Sequence, residues 1–224
     1  MKRSIVPDLI FKDWQLQRLQ IILTIAAGLA ALLVITRGGE VPFVLGTVWF
    51  FVSLIVLASM LPMASIINER KKQNIAFLMS LPVSPIEYTT AKMISTFASF
   101  LVPWLLLVAA ALSIVVSRHL LPYGTIPVIC ILALLPLVGF VFITGMTLVG
   151  ESEGWGIAGN LVCNSSYWLV WYLLMRNTSL ANTWKSNVAV WNQTTVTIVS
   201  CELAIIAVVT GLTLFLQSRK RDFV

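Results

Sequence analysis

Residues 68–92 read NERKKQNIAFLMSLPVSPIEYTTAK, a polar island set between two long apolar runs. It opens on a charged cluster, Glu69-Arg70-Lys71-Lys72. A short segment follows in which Ile75 and Leu78 stand three apart and Phe77 and Leu81 four apart, the spacing of one helical face. Leu81-Pro82 ends that segment, because proline has no amide donor and its ring disfavours a helical residue before it. Ser84-Pro85-Ile86-Glu87 then starts a new helix: Ser84 can cap, Pro85 suits the first turn and Glu87 can bond back to the cap. The order is charge, short helix, break, new helix, a compact unit presented on one surface.

The flanking sequence decides what surface that is. The chain is 58% hydrophobic and 11% charged, with a mean hydropathy of +0.93. A water-soluble chain of this length needs far more charge to cover its exterior, so the composition is that of a multi-pass membrane protein. No short apolar core with a small-residue cleavage site begins the chain, as a signal peptide would require. Cys130, Cys163 and Cys201 are odd in number, widely spaced and embedded in apolar runs, which makes them packing residues rather than a disulfide or metal set.

The apolar runs predict an all-α membrane protein with six transmembrane helices in a single transmembrane domain, 1–224. The spans fall at about 19–36, 41–67, 93–116, 125–149, 155–175 and 194–216, each long enough to cross the hydrocarbon core. Residues 1–18 mix Lys2, Arg3, Lys12 and Arg18 with Leu9, Ile10 and Trp14, the pattern of an N-terminal interfacial helix. Asn160, Asn164, Ser165 and Ser166 interrupt the fifth run, which is either broken or lines a polar cavity. The polar segment 176–193, with Trp184 and Trp191, is either a loop or a re-entrant dip.

Six spans place both termini on one side. If that side is the cytoplasm, Lys2, Arg3, Lys12, Arg18, Arg70, Lys71, Lys72, Lys92, Arg219, Lys220 and Arg221 are inside. Only Arg37, Arg118, Arg176 and Lys185 are then outside. Eleven of the fifteen basic residues inside is a pronounced positive-inside bias. It accounts for the net charge of +6 without invoking nucleic acid, and it puts the 68–92 island in the cytoplasm.

Much chemistry is missing. The single histidine, His119, falls in an external loop, and the chain has no HExxH, CxxC, GxSxG or GxxxxGK[ST] motif. Metal hydrolysis, thiol redox, acyl transfer and phosphate-loop ATP binding all lack their usual residues, and no metal site is expected. The ionisable residue that stands out is Glu202, roughly 12 Å into the sixth run at ~1.5 Å per residue. Such a carboxylate is costly unless paired, protonated or facing water. It is either a polar contact in a translocation path or between helices, or an interfacial residue of a span that starts later. Asn160 and Asn164 are the other candidates for a polar path.

The run from Glu69-Arg70 through Phe77-Leu78-Met79-Ser80-Leu81-Pro82-Val83-Ser84-Pro85, with Glu87 and Lys92 after it, resembles the permease subunits of type-2 ATP-binding cassette (ABC) transporters. Asn74-Ile75 stands where that family often has Gly-Thr. The basic start around Lys12-Asp13-Trp14 is similar to the surface helix of the same family. The resemblance implies that the island is a cytoplasmic coupling helix between spans two and three that docks on a separate ATPase. Glu69 and Arg70 would serve as rim contacts and Ile75, Phe77, Leu78 and Leu81 as the apolar face. It further implies an exporter working as a homodimer or heterodimer of permeases, with spans two and five lining the path. ATP and Mg would sit on the partner ATPase, leaving no enzyme activity or cofactor on this chain. Substrates of that family include lipids, peptides, glycans and drugs, and the aromatics Trp155, Tyr167, Trp168, Trp171 and Tyr172 suit an amphipathic cargo or a membrane anchor. Membrane lipid is a partner in either case. The alternative is a non-transporting scaffold or sensing subunit that recruits a partner protein; an intramembrane enzyme ranks behind both.

Overall fold

The computed structural model describes residues 6–67, 85–118, 120–184 and 186–219. Among the described residues all regular structure is helical. Helix α1 covers Val6–Ile35, α2 Glu40–Pro62, α3 Pro85–Arg118, α4 Ile126–Gly150, α5 Glu153–Arg176, α6 Thr178–Thr183 and α7 Gln193–Arg219, with a π-turn at Met63–Ile67 and a 3₁₀ turn at Tyr123–Thr125. Five of these stretches are long and apolar enough to cross a membrane: Trp14–Ile35, Glu40–Ile66, Thr90–Arg118, Tyr123–Gly150 and Gln193–Arg219. They coincide with the first four and the sixth of the expected spans. The fifth expected span forms α5, an unbroken helix of 24 residues. Its Asn, Ser and Gly content keeps it below the apolarity of the other five, and the interruption expected there is one of composition, not of backbone.

The ends of the elements follow from local chemistry. Gly38 and Gly39 both sit at positive φ, 77° and 90°, where a side chain would strain the backbone, and they turn the chain from α1 into α2. Pro85 opens α3, at the position where its missing N–H costs nothing. Pro62 closes α2, and the chain continues as a π-turn instead of an α-helix, a wider winding that accommodates a lost amide. At the other terminus of the bundle, α1 runs without a break from Val6. The segment expected as a separate surface helix is therefore continuous with the first span. Trp14 packs against the core, while Phe11 and Leu16 face outward.

Helices α2 and α4 occupy the centre. α1 packs on α2 and α3, while α5 and α7 pack on α4. The main core joins Leu54, Leu57 and Leu61 of α2, Phe100, Trp104 and Leu107 of α3, and Leu137, Phe140 and Val141 of α4. Phe140 stacks on Phe100 at 4.2 Å between ring centroids and meets Phe97 edge-on at 5.2 Å, both favourable aromatic geometries. The Trp104 Nε1–H donates to the Ala133 carbonyl at 2.9 Å, so the polar end of the largest core side chain is satisfied. Outward, Val41, Leu45, Val48, Val52 and Val56 of α2 form an exposed apolar stripe, the face a membrane helix offers to lipid.

The segment after α5 folds back onto the bundle. Leu180 of α6 is fully buried with Ile131 and Leu174. The Gly124 N–H donates to the Ser186 carbonyl at 2.9 Å. Trp184 is half-buried and Trp191 exposed. The expected external segment is thus a packed cap over the start of α4.

In lipid, removing a buried ring forfeits packing rather than transfer from water. Phe140→Ala is expected to destabilise the detergent-solubilised chain by on the order of 2 kcal/mol, from the cavity left behind. Val48→Ala, on the outward stripe, is expected to change stability by less than about 0.5 kcal/mol. Denaturant unfolding followed by tryptophan fluorescence checks both.

Candidate docking and translocation sites

The residues expected to dock a partner, Glu69, Arg70, Ile75, Phe77, Leu78 and Leu81, lie outside the described residues. The π-turn before that segment and the helix after it are described, and they are tied together. Ser65 in the π-turn and Thr96 on α3 share a hydroxyl–hydroxyl bond of 3.1 Å. Thr96 Oγ1 also sits 2.8 Å from the Lys92 carbonyl, one helical turn back. Beside this pair Ile66, Met93 and Leu148 form a small buried apolar cluster against Phe97. The π-turn, the part of α3 around Lys92, Met93 and Thr96, and the end of α4 are therefore one packed unit.

Above this unit the bundle buries an unusual set of small polar side chains. Gln17 of α1, Ser95, Thr96 and Ser99 of α3, and Thr144 and Thr147 of α4 are all buried. Thr144 and Thr147 donate to the carbonyls of Phe140 and Ile143 in their own helix, which hides their hydroxyls from hydrocarbon. Ser95 Oγ, Ser99 Oγ and Gln17 Oε1 have no hydrogen-bond partner. Such groups lower the cost of separating the helices that carry them, because water can satisfy them once the packing opens. Sequence reading passed over this layer. Its signal was present as small hydroxyl residues recurring inside the third apolar run, at 95, 96 and 99.

Asn160 and Asn164 lie one turn apart on α5, both half-buried. The Asn164 side-chain amide donates to Asn160 Oδ1 at 2.7 Å, and the Ser59 hydroxyl of α2 donates to the same oxygen at 3.0 Å. One amide oxygen thus takes two donors and pins α5 to α2. Ser59 was not singled out from sequence: a lone serine in an apolar run carries no pattern until its partner is known. Tyr167 and Cys163 project from α5 toward Gly139 of α4, where a side chain would collide with the tyrosine hydroxyl. A small residue at that point allows the close approach of the two helices.

Glu202 is not part of the α2–α5 contact. It lies on the α7 face that packs on α4, along with Ile206, Val209, Thr213 and Gln217, and is 6% exposed. The Gln217 side-chain amide donates to the Leu148 carbonyl at 2.6 Å, and a Cβ at Gly145 would meet Thr213 Oγ1 at 2.6 Å. These two contacts fix α4 and α7 as parallel neighbours. The three residues grouped from the sequence therefore occupy two separate seams. Asn160 and Asn164 belong to α2–α5, and Glu202 to α4–α7.

On the outward side of α5, Trp155, Trp168, Trp171 and Tyr172 are exposed, Trp168 to 77%. Arg176 closes this row, its Nη1 donating to the Tyr172 hydroxyl at 2.8 Å with the guanidinium 5.5 Å from the ring centroid. An aromatic row ending in a cation provides both apolar contact and a polar end.

A family model described as "ABC-2 family transporter protein" matches residues 8–219. No curated protein and no solved structure matches the chain.

The Ser59–Asn160 bond is expected to hold α2 to α5 with a coupling energy of about 0.6 kcal/mol, the average for interhelical side-chain bonds in a membrane bundle. A double-mutant cycle of Ser59→Ala and Asn160→Ala, read by unfolding in mixed micelles, measures it; additive effects of the two changes contradict the bond.

Proposed function

The chain belongs to the ABC-2 family of transporter proteins, and from that premise we propose that it is the membrane permease of an ABC exporter driven by a separate cytoplasmic ATPase. The observation that carries this reading is the family match over residues 8–219, nearly the whole membrane bundle. Both termini and the 68–84 segment face the cytoplasm in this reading, in keeping with the positive-inside distribution of basic residues. Residues 6–18 lie at the membrane surface as the entry to α1, and α5 crosses the membrane as the fifth of six spans. Its antiparallel packing on α4, through Gly139–Tyr167 and Gly159–Met146, suits that role.

Work done by the ATPase enters through the coupling helix. Phe77, Leu78, Leu81 and Ile75 dock in an apolar groove, and Glu69 and Arg70 set the orientation at its rim. The bond between Ser65 and Thr96 carries the displacement into α2 and α3 together, so that the helices tilt as rigid bodies. A second permease, identical or similar, completes the transporter, because a single bundle this closely packed has no path of its own.

The path runs along α2 and α5, where Asn160 and Asn164 place polar groups at depth. Glu202 acts from the α4–α7 seam behind that path. The exposed tryptophans of α5 suit an amphipathic or hydrophobic cargo, such as a lipid, peptide, glycan or drug, whose apolar part stays in contact with rings while its polar part moves.

Phe77→Asp and Leu78→Asp are expected to reduce the ATPase recovered with the tagged chain by about tenfold or more, with membrane insertion unchanged. Co-purification in mild detergent, normalised to the yield of the chain, measures this. Undiminished recovery with either aspartate contradicts docking through this face.

A further inference from the structure

The carboxyl group of Glu202 is sealed on every side. The residue is 6% exposed, and neither Oε1 nor Oε2 has accessible surface or a hydrogen-bond partner. Helix α7 begins at Gln193, which puts Glu202 roughly 13 Å along it at ~1.5 Å per residue. Its level on the facing helix is set from both directions. Ile198 and Val199 pack on the cluster of Ile131, Leu174 and Leu180, Thr213 lies against Gly145 and Gln217 bonds the Leu148 carbonyl. Glu202 therefore stands level with Leu134 and Leu135, about a third of the way along α4, inside the stretch of α7 that is long and apolar enough to cross a membrane.

Of the elements packed against this part of α7, α5 shares a cluster with Ile198 and Val199 through Val170 and Leu174 and carries Cys163, Tyr167, Tyr172 and Arg176, the last exposed and bonded to the Tyr172 hydroxyl; the others offer no positive charge. Between Ile126 and Gly150, α4 carries no acidic, basic or histidine side chain, and its one titratable group is the half-buried Cys130. Between Lys92 and Arg118, α3 carries none, and its polar group at this level, the Trp104 indole N–H, is committed to the Ala133 carbonyl. Helix α6, Thr178–Thr183, has no ionisable residue. On α7 itself Cys201 is exposed and the basic residue is Arg219, at the far end.

An ionised carboxylate in such surroundings has to be neutralised. A metal ion or an amine needs room for its own coordination shell, and the sealed oxygens leave none. A proton needs no cavity, since it becomes part of the acid. We propose that Glu202 is an intramembrane proton-binding site, closed between α4 and α7 in this structure, which releases its proton only when those helices part and water reaches the carboxyl. Proton binding and closure of the seam are then linked: whatever separates α4 from α7 favours release, and a bound proton favours the closed bundle.

Infrared spectroscopy of the full chain in lipid tests this whether or not an ATPase is present. The probe is the carboxyl vibration itself, read at neutral pH as the difference between wild type and E202Q, or E202L if the glutamine variant does not accumulate. The expected result is one carbonyl band of an un-ionised acid present in wild type and absent from the variant. Transfer to heavy water should leave that band in place at first and then shift it slowly, at the rate at which the seam opens. Loss of a carboxylate band instead overturns the proposal, and so does an acid band that shifts at once in heavy water.

Discussion

Hydrocarbon gives a backbone amide nothing to bond to, and that one constraint shapes the rest of this chain. Every spanning residue has to close its hydrogen bond within its own helix, so the described residues form helices and short turns. At one place the α-helical winding changes where proline removes a donor. Pro62 is followed by a π-turn, and that turn is buttressed by the Ser65–Thr96 bond and the Ile66–Met93–Leu148 cluster. Pro103 and Pro136 sit inside α3 and α4, beside the core where the Trp104 indole meets the Ala133 carbonyl.

The same constraint governs the polar side chains. Lipid competes with apolar side chains on equal terms, so oily surface alone does not bring helices together. Close packing and interhelical hydrogen bonds have to do it. Phe97, Phe100 and Phe140 supply the packing at the centre. Hydrogen bonds supply the specificity at the edges: Ser59 to Asn160 between α2 and α5, Gln217 to the Leu148 carbonyl between α7 and α4. Other buried polar atoms have no such bond: Gln17 Oε1, Ser95 Oγ and Ser99 Oγ in α1 and α3, and the carboxyl of Glu202 in α7, each a cost that close packing has to offset.

Long-period features were legible in the sequence, and pairings were not. Run length and the Gly38-Gly39 and Pro85 signals placed five spanning stretches within a few residues. The continuity of α1 was not legible, because Lys12 and Arg18 read as a surface helix whether or not the backbone bends after them. The three candidates for a polar path were legible as polar residues inside apolar runs, yet their grouping required knowing which helices touch. Asn160 and Asn164 face α2, whereas Glu202 faces α4. Ser59, Ser65 and Thr96 could not be singled out at all. Each is an ordinary small residue in an apolar run, and its importance lies in a partner tens of residues away in sequence.

The central claim is that this bundle is moved by an ATPase it does not itself contain. The direct measurement is affinity purification of the tagged chain from native membranes in mild detergent, with mass spectrometry of what accompanies it. The account predicts a soluble protein in stoichiometric amount, carrying a GxxxxGK[ST] phosphate-binding loop. Recovery of the chain without any such protein, even after crosslinking in intact membranes, would contradict it.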